Sequence, residues 1–229
     1  MKEEFSRTAK VIGEENLNKL KNCKIAVFGL GGVGGHAAEA LVRAGIYHLD
    51  LIDYDTVSLS NINRQIAALH STVGMKKVDV LKERFHDINP EAIINTFQIF
   101  YDSNTENQFD LSSYDYIVDA IDSVKEKINL IVNATSSSTA IISSMGAGNK
   151  LDPTAFKVSD IYKTSVCPLA KVMRTELKKK GIKKLKCVYS EEQPKIRSSP
   201  PGSLSFVPSV VGLIIAGEVI KDIIDIKTF

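Results

Sequence analysis

The chain has no tryptophan and only three cysteines, Cys23, Cys167 and Cys187, with no CxxC pair among them. Three scattered thiols make neither a disulfide framework nor a four-thiolate zinc site. A reducing compartment is therefore expected, and with it a cytoplasmic location. The four histidines, His36, His48, His70 and His86, show no ligand spacing. The opening segment MKEEFSRTAKVIGEENLNKL has neither the apolar core of a secretory signal nor the acid-poor, arginine-rich character of a transit peptide, and it reads as a polar amphipathic helix. Long apolar runs are missing as well. The longest, over residues 206–224, is broken by Pro208, Glu218, Lys221 and Asp222, which predicts a docked terminal helix and no stable membrane insertion.

What is present is globular: 229 residues, 44% hydrophobic and 24% charged, with a net charge of +2. Disordered and collagen-like classes are excluded, and the length suits one large α/β domain. Short β-branched runs alternate with helical patterns. Strands are predicted over 24–28, 48–53, 93–100, 116–119 and 140–144, and helices over 36–44, 75–88 and 123–134. Such alternation predicts a Rossmann-like, open, mostly parallel sheet with helices on both faces. After residue 150 the rhythm changes to a strand over 156–162, a basic helix over 168–180, a short strand over 186–189, a mobile loop over 190–205 and the terminal apolar helix. One domain over 1–229 is expected, with a nucleotide-binding core at 1–150 and a basic, substrate-binding extension at 151–229.

Gly29-Leu-Gly31-Gly32-Val-Gly34 lies directly after a strand and before a helix, where glycines let backbone N–H groups approach phosphates at a helix N-terminus. Asp53 ends the next strand and is placed to accept hydrogen bonds from a ribose. These two features fit NAD, FAD or ATP equally. The discriminating segment follows, with Asp55, Asn61, Asn63, Arg64 and Gln65 in quick succession and Lys77 beyond. A hydride-transfer enzyme has no use for that cluster, whereas a triphosphate does: Arg64 offers a bidentate guanidinium, the amides neutral donors and Lys77 a point charge. The bland alternatives pair Arg64 with Asp55 and leave Lys77, or its neighbour Lys76, as a solvated helix lysine. Asp119-Ala-Ile-Asp122 ends the strand expected beside the first, so Asp122 either holds a magnesium ion bridging the phosphates or caps the following helix.

The segments GLGGVG, LIDYDTVSLSNINRQ, VGMKK and DAID, in this order, resemble the ubiquitin-activating-enzyme-like (ThiF/MoeB-type) adenylyltransferases. The resemblance implies binding of ATP and Mg2+ and transfer of AMP to a carboxylate. It implies that Gly31 lies against the phosphates, that Asp53 holds the ribose, that Asn63, Arg64 and Lys77 contact phosphates, and that Asp122 is the metal aspartate. Arg7, in Phe5-Ser6-Arg7, matches an arginine that in the family reaches a partner subunit's active site, which implies a homodimer. Residues 165–174 (SVCPLAKVMR), 176–182 (ELKKKGI) and 201–210 (PGSLSFVPSV) are similar to the tRNA threonylcarbamoyladenosine dehydratase branch. That similarity implies a tRNA substrate, adenylation of its threonyl carboxylate and ring closure by its own carbamoyl group, with net loss of water.

Charge gives an independent pointer. Between Lys163 and Lys186 there are nine cations and one anion, Glu176, so with a whole-chain charge of +2 the remainder is net acidic. A basic patch on an acidic chain is the footprint of a polyanion, and Lys171, Arg174, Lys178, Lys179, Lys180, Lys183 and Lys184 are the expected tRNA contacts. The alternative is a solvated helix end whose lysines complement the dipole. Arg197, in the 190–205 loop, is a further RNA candidate, and the loop is expected to fold over the bound nucleoside. Cys167 precedes Pro168 at a helix start, where a thiol pKa falls, but with no nearby histidine a buried thiol is the expected role. Two rivals remain at this level: activation of the C-terminal glycine of a ubiquitin-like or sulfur-carrier protein, and an NAD-dependent oxidoreductase. A sulfur-transfer partner, and a monovalent cation near Gly146-Ala147-Gly148, are left open.

Overall fold

A computed structural model describes residues 3–196, 198 and 200–226. Seven strands form one sheet: β1 (Lys24–Phe28), β2 (His48–Ile52), β3 (Ile93–Phe97), β4 (Tyr116–Asp119), β5 (Ala140–Ser144), β6 (Phe156–Asp160) and β7 (Lys186–Ser190). Their spatial order is β3-β2-β1-β4-β5-β7-β6, parallel throughout except for the antiparallel edge strand β6. The second part of the chain thus extends the same sheet by two strands. The chain reverses direction between β1's neighbours β2 and β4, which opens a crevice beyond the carboxyl ends of β1 and β4.

Strand alternation assigns the two layers. Ile25 and Val27 of β1 pack with helices α3 (Gly34–Ala44), α4 (Lys77–Ile88) and α7 (Phe206–Ile223), while Ala26 and Phe28 face the opposite layer, which holds α5 (Val124–Ser136). The remaining helix there, α6 (Pro168–Lys179), packs through Met173 and Leu177 against Cys187 and Tyr189 of β7. Each fully buried Phe, Leu or Ile contributes roughly 1.5–3 kcal/mol. Elements stop where the sequence has punctuation. Gly45 at φ +109° closes α3 in a left-handed turn, Asn89-Pro90 ends α4, and Pro168 opens α6 where no N–H is needed. The terminal apolar helix is α7, laid along α3. A Cβ on Gly212 would sit 2.4 Å from the Val33 carbonyl oxygen and 2.9 Å from the Ala37 nitrogen, so the two backbones touch. No described helix is long and apolar enough to cross a membrane.

Several expected boundaries move. The single N-terminal helix is two, α1 (Ser6–Ile12) and α2 (Glu14–Asn22), hinged at Gly13, whose φ of +83° no helix accommodates. α3 begins two residues before the expected start. β3 stops at Phe97, and β6 stops at Asp160, whose carboxylate accepts the Tyr162 N–H and turns the chain. Part of the 190–205 loop is pinned: the Asn149 side chain accepts the Gly202 N–H (2.7 Å), its own N–H donates to the Gly202 carbonyl (2.8 Å), and Asn63 donates to the Ser203 carbonyl (2.9 Å).

Candidate nucleotide-binding site

A cavity of about 380 Å³ fills the crevice, lined by Gly29, Gly31 and Gly32, by Asp53 to Asp55, by Asn61, Arg64, Gln65 and Lys77, and by Ala120 to Ser123. Ile52, Ile99 and Phe100 give it an apolar wall, and Pro201 to Ser203 of the pinned loop form its roof. Arg7 is not there. It lies exposed on α1, and Phe5, the residue directly before that helix, packs on Tyr47 just before β2, at the amino edge of the sheet.

The glycine loop is shaped by contacts that exclude side chains. A Cβ on Gly34 would lie 1.8 Å from the Gly29 carbonyl oxygen, and one on Gly29, itself at φ +88°, would lie 2.6 Å from the Ala120 oxygen. A Cβ on Gly31 would meet nothing closer than Gln65 Nε2 at 3.8 Å. Gly29 and Gly34 therefore serve the fold, and Gly31 keeps the cavity open.

Asp53 follows β2 directly and is buried. Its Oδ2 accepts the Leu30 N–H (2.6 Å) and its Oδ1 the Asp55 N–H (2.8 Å). Burial raises its pKa above the ordinary aspartate value, against the lowering pull of Lys77 and the two N–H groups. Each oxygen retains a lone pair for a ribose hydroxyl. Lys77 is not a solvated lysine: only 3% exposed, it places Nζ 2.7 Å from Asp55 Oδ2, while Lys76 is the exposed neighbour. With Asp55 taken by Lys77, Arg64 instead donates to the Ser60 carbonyl (3.0 Å) and Asn63 Oδ1 (2.9 Å), and no carboxylate pairs with it among the described residues. Asn61 is partly structural, its Oδ1 accepting the Ser58 N–H. Asn63 does not line the cavity; its amide holds the roof.

Asp122 lies on the cavity wall, exposed, and Ser123 rather than Asp122 occupies the cap position of α5. Two buried side-chain atoms lining the cavity, Gln65 Oε1 and Ser123 Oγ, have no hydrogen-bond partner. Buried polar atoms left unpaired cost free energy, and both belong to residues of the cavity wall. The open glycine cradle, the two cations and the unpaired atoms fit a nucleotide. Asp122 suits Mg2+, which takes one or two protein carboxylates alongside phosphate oxygens. No cluster of three or more metal-ligating side chains exists among the described residues.

The basic segment lies elsewhere. α6 starts beside Gly146, near the cavity roof, and its twelve residues run about 18 Å to the amino edge of the sheet. There Tyr162 donates to the Ile182 carbonyl, and Ile161 to that of Leu185 just before β7. Lys178, Lys179, Lys180, Lys183 and Lys184 are exposed at that far end, and Lys171 is exposed near the start. Arg174 is half-buried and donates to Thr164, and Lys186 is held internally by Glu218 and Asp222, so neither behaves as a free surface cation. Arg197 lies outside the described residues. Cys167 and Cys187 are 3% and 0% exposed, and burial pushes the Cys187 thiol up to about 12. Gly148 packs beneath Pro201.

Sequence reasoning gave no role to Asp119, Lys127 or Ser123, whereas the roof residues Pro201 to Ser203 fall in the loop expected to fold over the nucleoside. The DAID segment marked the place, but only the fold shows that Lys127, eight residues on, returns beneath it.

The ThiF family model matches residues 5–229. The chain is 45% identical to the tRNA threonylcarbamoyladenosine dehydratase of Bacillus subtilis (strain 168), over 98% of this chain and 96% of that protein. To the protein of that name from Escherichia coli (strain K12) it is 39% identical, over 83% of this chain and 74% of that one. The crystal structure of the E. coli enzyme TcdA in complex with ATP matches with a TM-score of 0.91 at 35% identity, covering 97% of this chain and 94% of that chain.

Proposed function

The chain belongs to the ThiF family, and on that premise we propose that it is an ATP-dependent dehydratase that converts the N6-threonylcarbamoyladenosine of tRNA to its cyclic form. The observation that carries this reading is the convergence of the glycine loop, Asp53, Arg64, Lys77 and Asp122 on one cavity with two unpaired polar atoms in its wall.

In this reading the N–H groups of the loop at Gly31 and Gly32 receive phosphates, Asp53 holds the ribose, and the wall of Ile52, Ile99 and Phe100 takes the adenine. The threonyl carboxylate, already a nucleophile, attacks the α-phosphorus and pyrophosphate leaves. Arg64 and Lys77 stabilise the charge that spreads over the phosphoryl oxygens. Asn61 and Gln65 add neutral contacts. Asp122 would hold Mg2+, which supplies further neutralisation when bound with the nucleotide. The carbamoyl group then attacks the acyl-adenylate carbon, closing a five-membered ring and releasing AMP. An intramolecular attack of this kind has a high effective concentration, so no enzyme thioester is required, consistent with buried Cys167 and Cys187.

The exposed lysines at the end of α6 would follow tRNA phosphates. A homodimer would bring Arg7 to a partner's cavity, and Leu59, Leu69, Val73 and Met75, exposed between β2 and α4, offer apolar surface to a second copy. The cytoplasm, where tRNA is modified, is the proposed location.

The test is mass spectrometry of nucleosides from threonylcarbamoyl-modified tRNA incubated with the protein, ATP and magnesium. Loss of one water only with ATP, alongside AMP and pyrophosphate, is expected. AMP formed only on adding a ubiquitin-like carrier protein, with the tRNA unchanged, would overturn the substrate assignment.

A further inference from the structure

The only side chains in the described structure that form an ion pair with both partners fully buried are Asp119 and Lys127, each 0% exposed, with Nζ 2.8 Å from Oδ2. Neither lines the cavity, and no step above uses them. Removing two charges from water is costly, and such pairs often contribute little net stability. Their placement is informative. Asp119 is the last residue of β4, and Ser143, its partner across β5, also donates to Oδ2 (2.6 Å). The other oxygen, Oδ1, accepts the Ile121 N–H (3.1 Å). Lys127 sits on the first turns of α5, where its own N–H bonds to the Ser123 carbonyl (3.0 Å).

The segment between them, Ala120 to Ser123, is the cavity wall that carries Asp122. On its other side the Ala120–Ile121 peptide is in contact with Gly29, where a Cβ would come within 2.6 Å of the Ala120 oxygen and 3.0 Å of the Ile121 nitrogen. The turn is gripped from both sides, by the glycine loop above and by the ion pair below. We propose that Asp119 and Lys127 are positioning residues for nucleotidyl transfer: the pair fixes the Ala120–Ser123 turn and thereby the direction in which Asp122 presents its carboxylate. This inference rests on the nucleotide reading of the cavity. Displacing supporting groups of this kind costs about 10- to 100-fold in metal affinity or activity.

The experiment compares the wild type with Lys127→Arg, Lys127→Met and the charge-free pair Asp119→Asn with Lys127→Gln, which strands no buried charge if Lys127→Met fails to fold. Hydrogen exchange of the 119–123 segment is measured on nucleotide-free protein, and kcat and KM for AMP formation on substrate tRNA. In folded variants lacking the ion pair, exchange at Ile121 accelerates, kcat falls about 10- to 100-fold and KM for ATP changes by less than about twofold. Lys127→Arg restores most of both losses. Unchanged exchange at Ile121 with unchanged kcat overturns the proposal, as does a loss of kcat that merely follows the folded fraction. A wild type that forms no AMP overturns the nucleotide reading itself, whatever the exchange data show.

Discussion

Lys77 Nζ lies 2.7 Å from Asp55 Oδ2 with the lysine side chain 4% exposed and the aspartate 43% exposed, so a buried cation reaches the cavity through a solvated anion. Withdrawal of Lys77 leaves Asp55 in contact with water but also removes the cation that offsets the burial of Asp53, so some stability is lost as well. On the proposed function the catalytic cost is larger, because a preorganised positive charge would be lost where phosphoryl charge develops. Lys77→Met is expected to reduce kcat/KM for AMP formation about 100-fold, measured below its melting temperature on folded protein. A full-rate variant would remove Lys77 from the site.

Two glycines of one loop should respond oppositely to the same methyl group. Gly34→Ala forces a contact of 1.8 Å with the Gly29 carbonyl and is expected to cost about 2–3 kcal/mol, read as a lower denaturation midpoint. Gly31→Ala meets only Gln65 Nε2 at 3.8 Å, so it should fold normally and lose ATP affinity in calorimetry. Tight ATP binding by Gly31→Ala would place the phosphates elsewhere.

Glu39 ties two helices together, accepting from Arg43 (2.8 Å) on its own helix and Arg84 (2.6 Å) on α4. Burial pushes its carboxyl up, but the two arginines outweigh this and hold it below the usual glutamate value. The lowered folded pKa means that the stabilisation is complete above the unfolded value, about 4.3, and is lost as pH falls through the folded one. Glu39→Gln should therefore be less stable than the wild type at pH 7, with the gap narrowing on acidification. A gap that is constant with pH would show that the carboxylate charge is not what Arg43 and Arg84 recognise.

Charge reversal of Lys178, Lys179 and Lys180 to Glu should weaken tRNA binding and flatten its salt dependence, lowering the log–log slope by about 2–3. ATP binding should be unchanged, since these residues lie a helix length from the cavity. Filter binding across a salt series, beside ATP calorimetry, measures both. An unaltered slope would return the lysines to a solvated surface.

Arg7 and Asp122 lie at opposite edges of the sheet, so each can be lost from a different subunit. Arg7→Ala and Asp122→Ala proteins are each expected to be inactive, and mixing them under subunit exchange should restore about a quarter to a half of AMP formation per dimer if Arg7 acts across the interface. No recovery, with exchange confirmed by mass spectrometry, would confine Arg7 to its own chain.

Much of this architecture is legible in the sequence, because period-two and period-3.6 patterns directly encode which faces are buried. The runs at 24–28 and 116–119 became β1 and β4, and the glycines between β1 and α3 reached the crevice they predict. Spacing along the chain was less informative about charge partners. Arg64 and Asp55 are nine residues apart and do not pair, whereas Lys77, twenty-two residues beyond Asp55, does. Lys186 looks like part of a lysine-rich surface until β7 carries it against α7, where Glu218 and Asp222 neutralise it. Asp119 and Lys127 were invisible for the same reason: only folding brings a strand end and the second turn of a helix together in a dry place.

The backbone contact between Gly212 and the Val33–Ala37 turn has a temporal meaning. A ribosome delivers the glycine loop at residues 29–34 well before α7, the helix whose Gly212 buttresses the turn that follows it. Until then the loop has one open flank, so a nascent chain stopped before Phe206 should not yet hold nucleotide. Maturation of the cavity would then wait for α7, and ATP would report only on molecules in which that helix has docked.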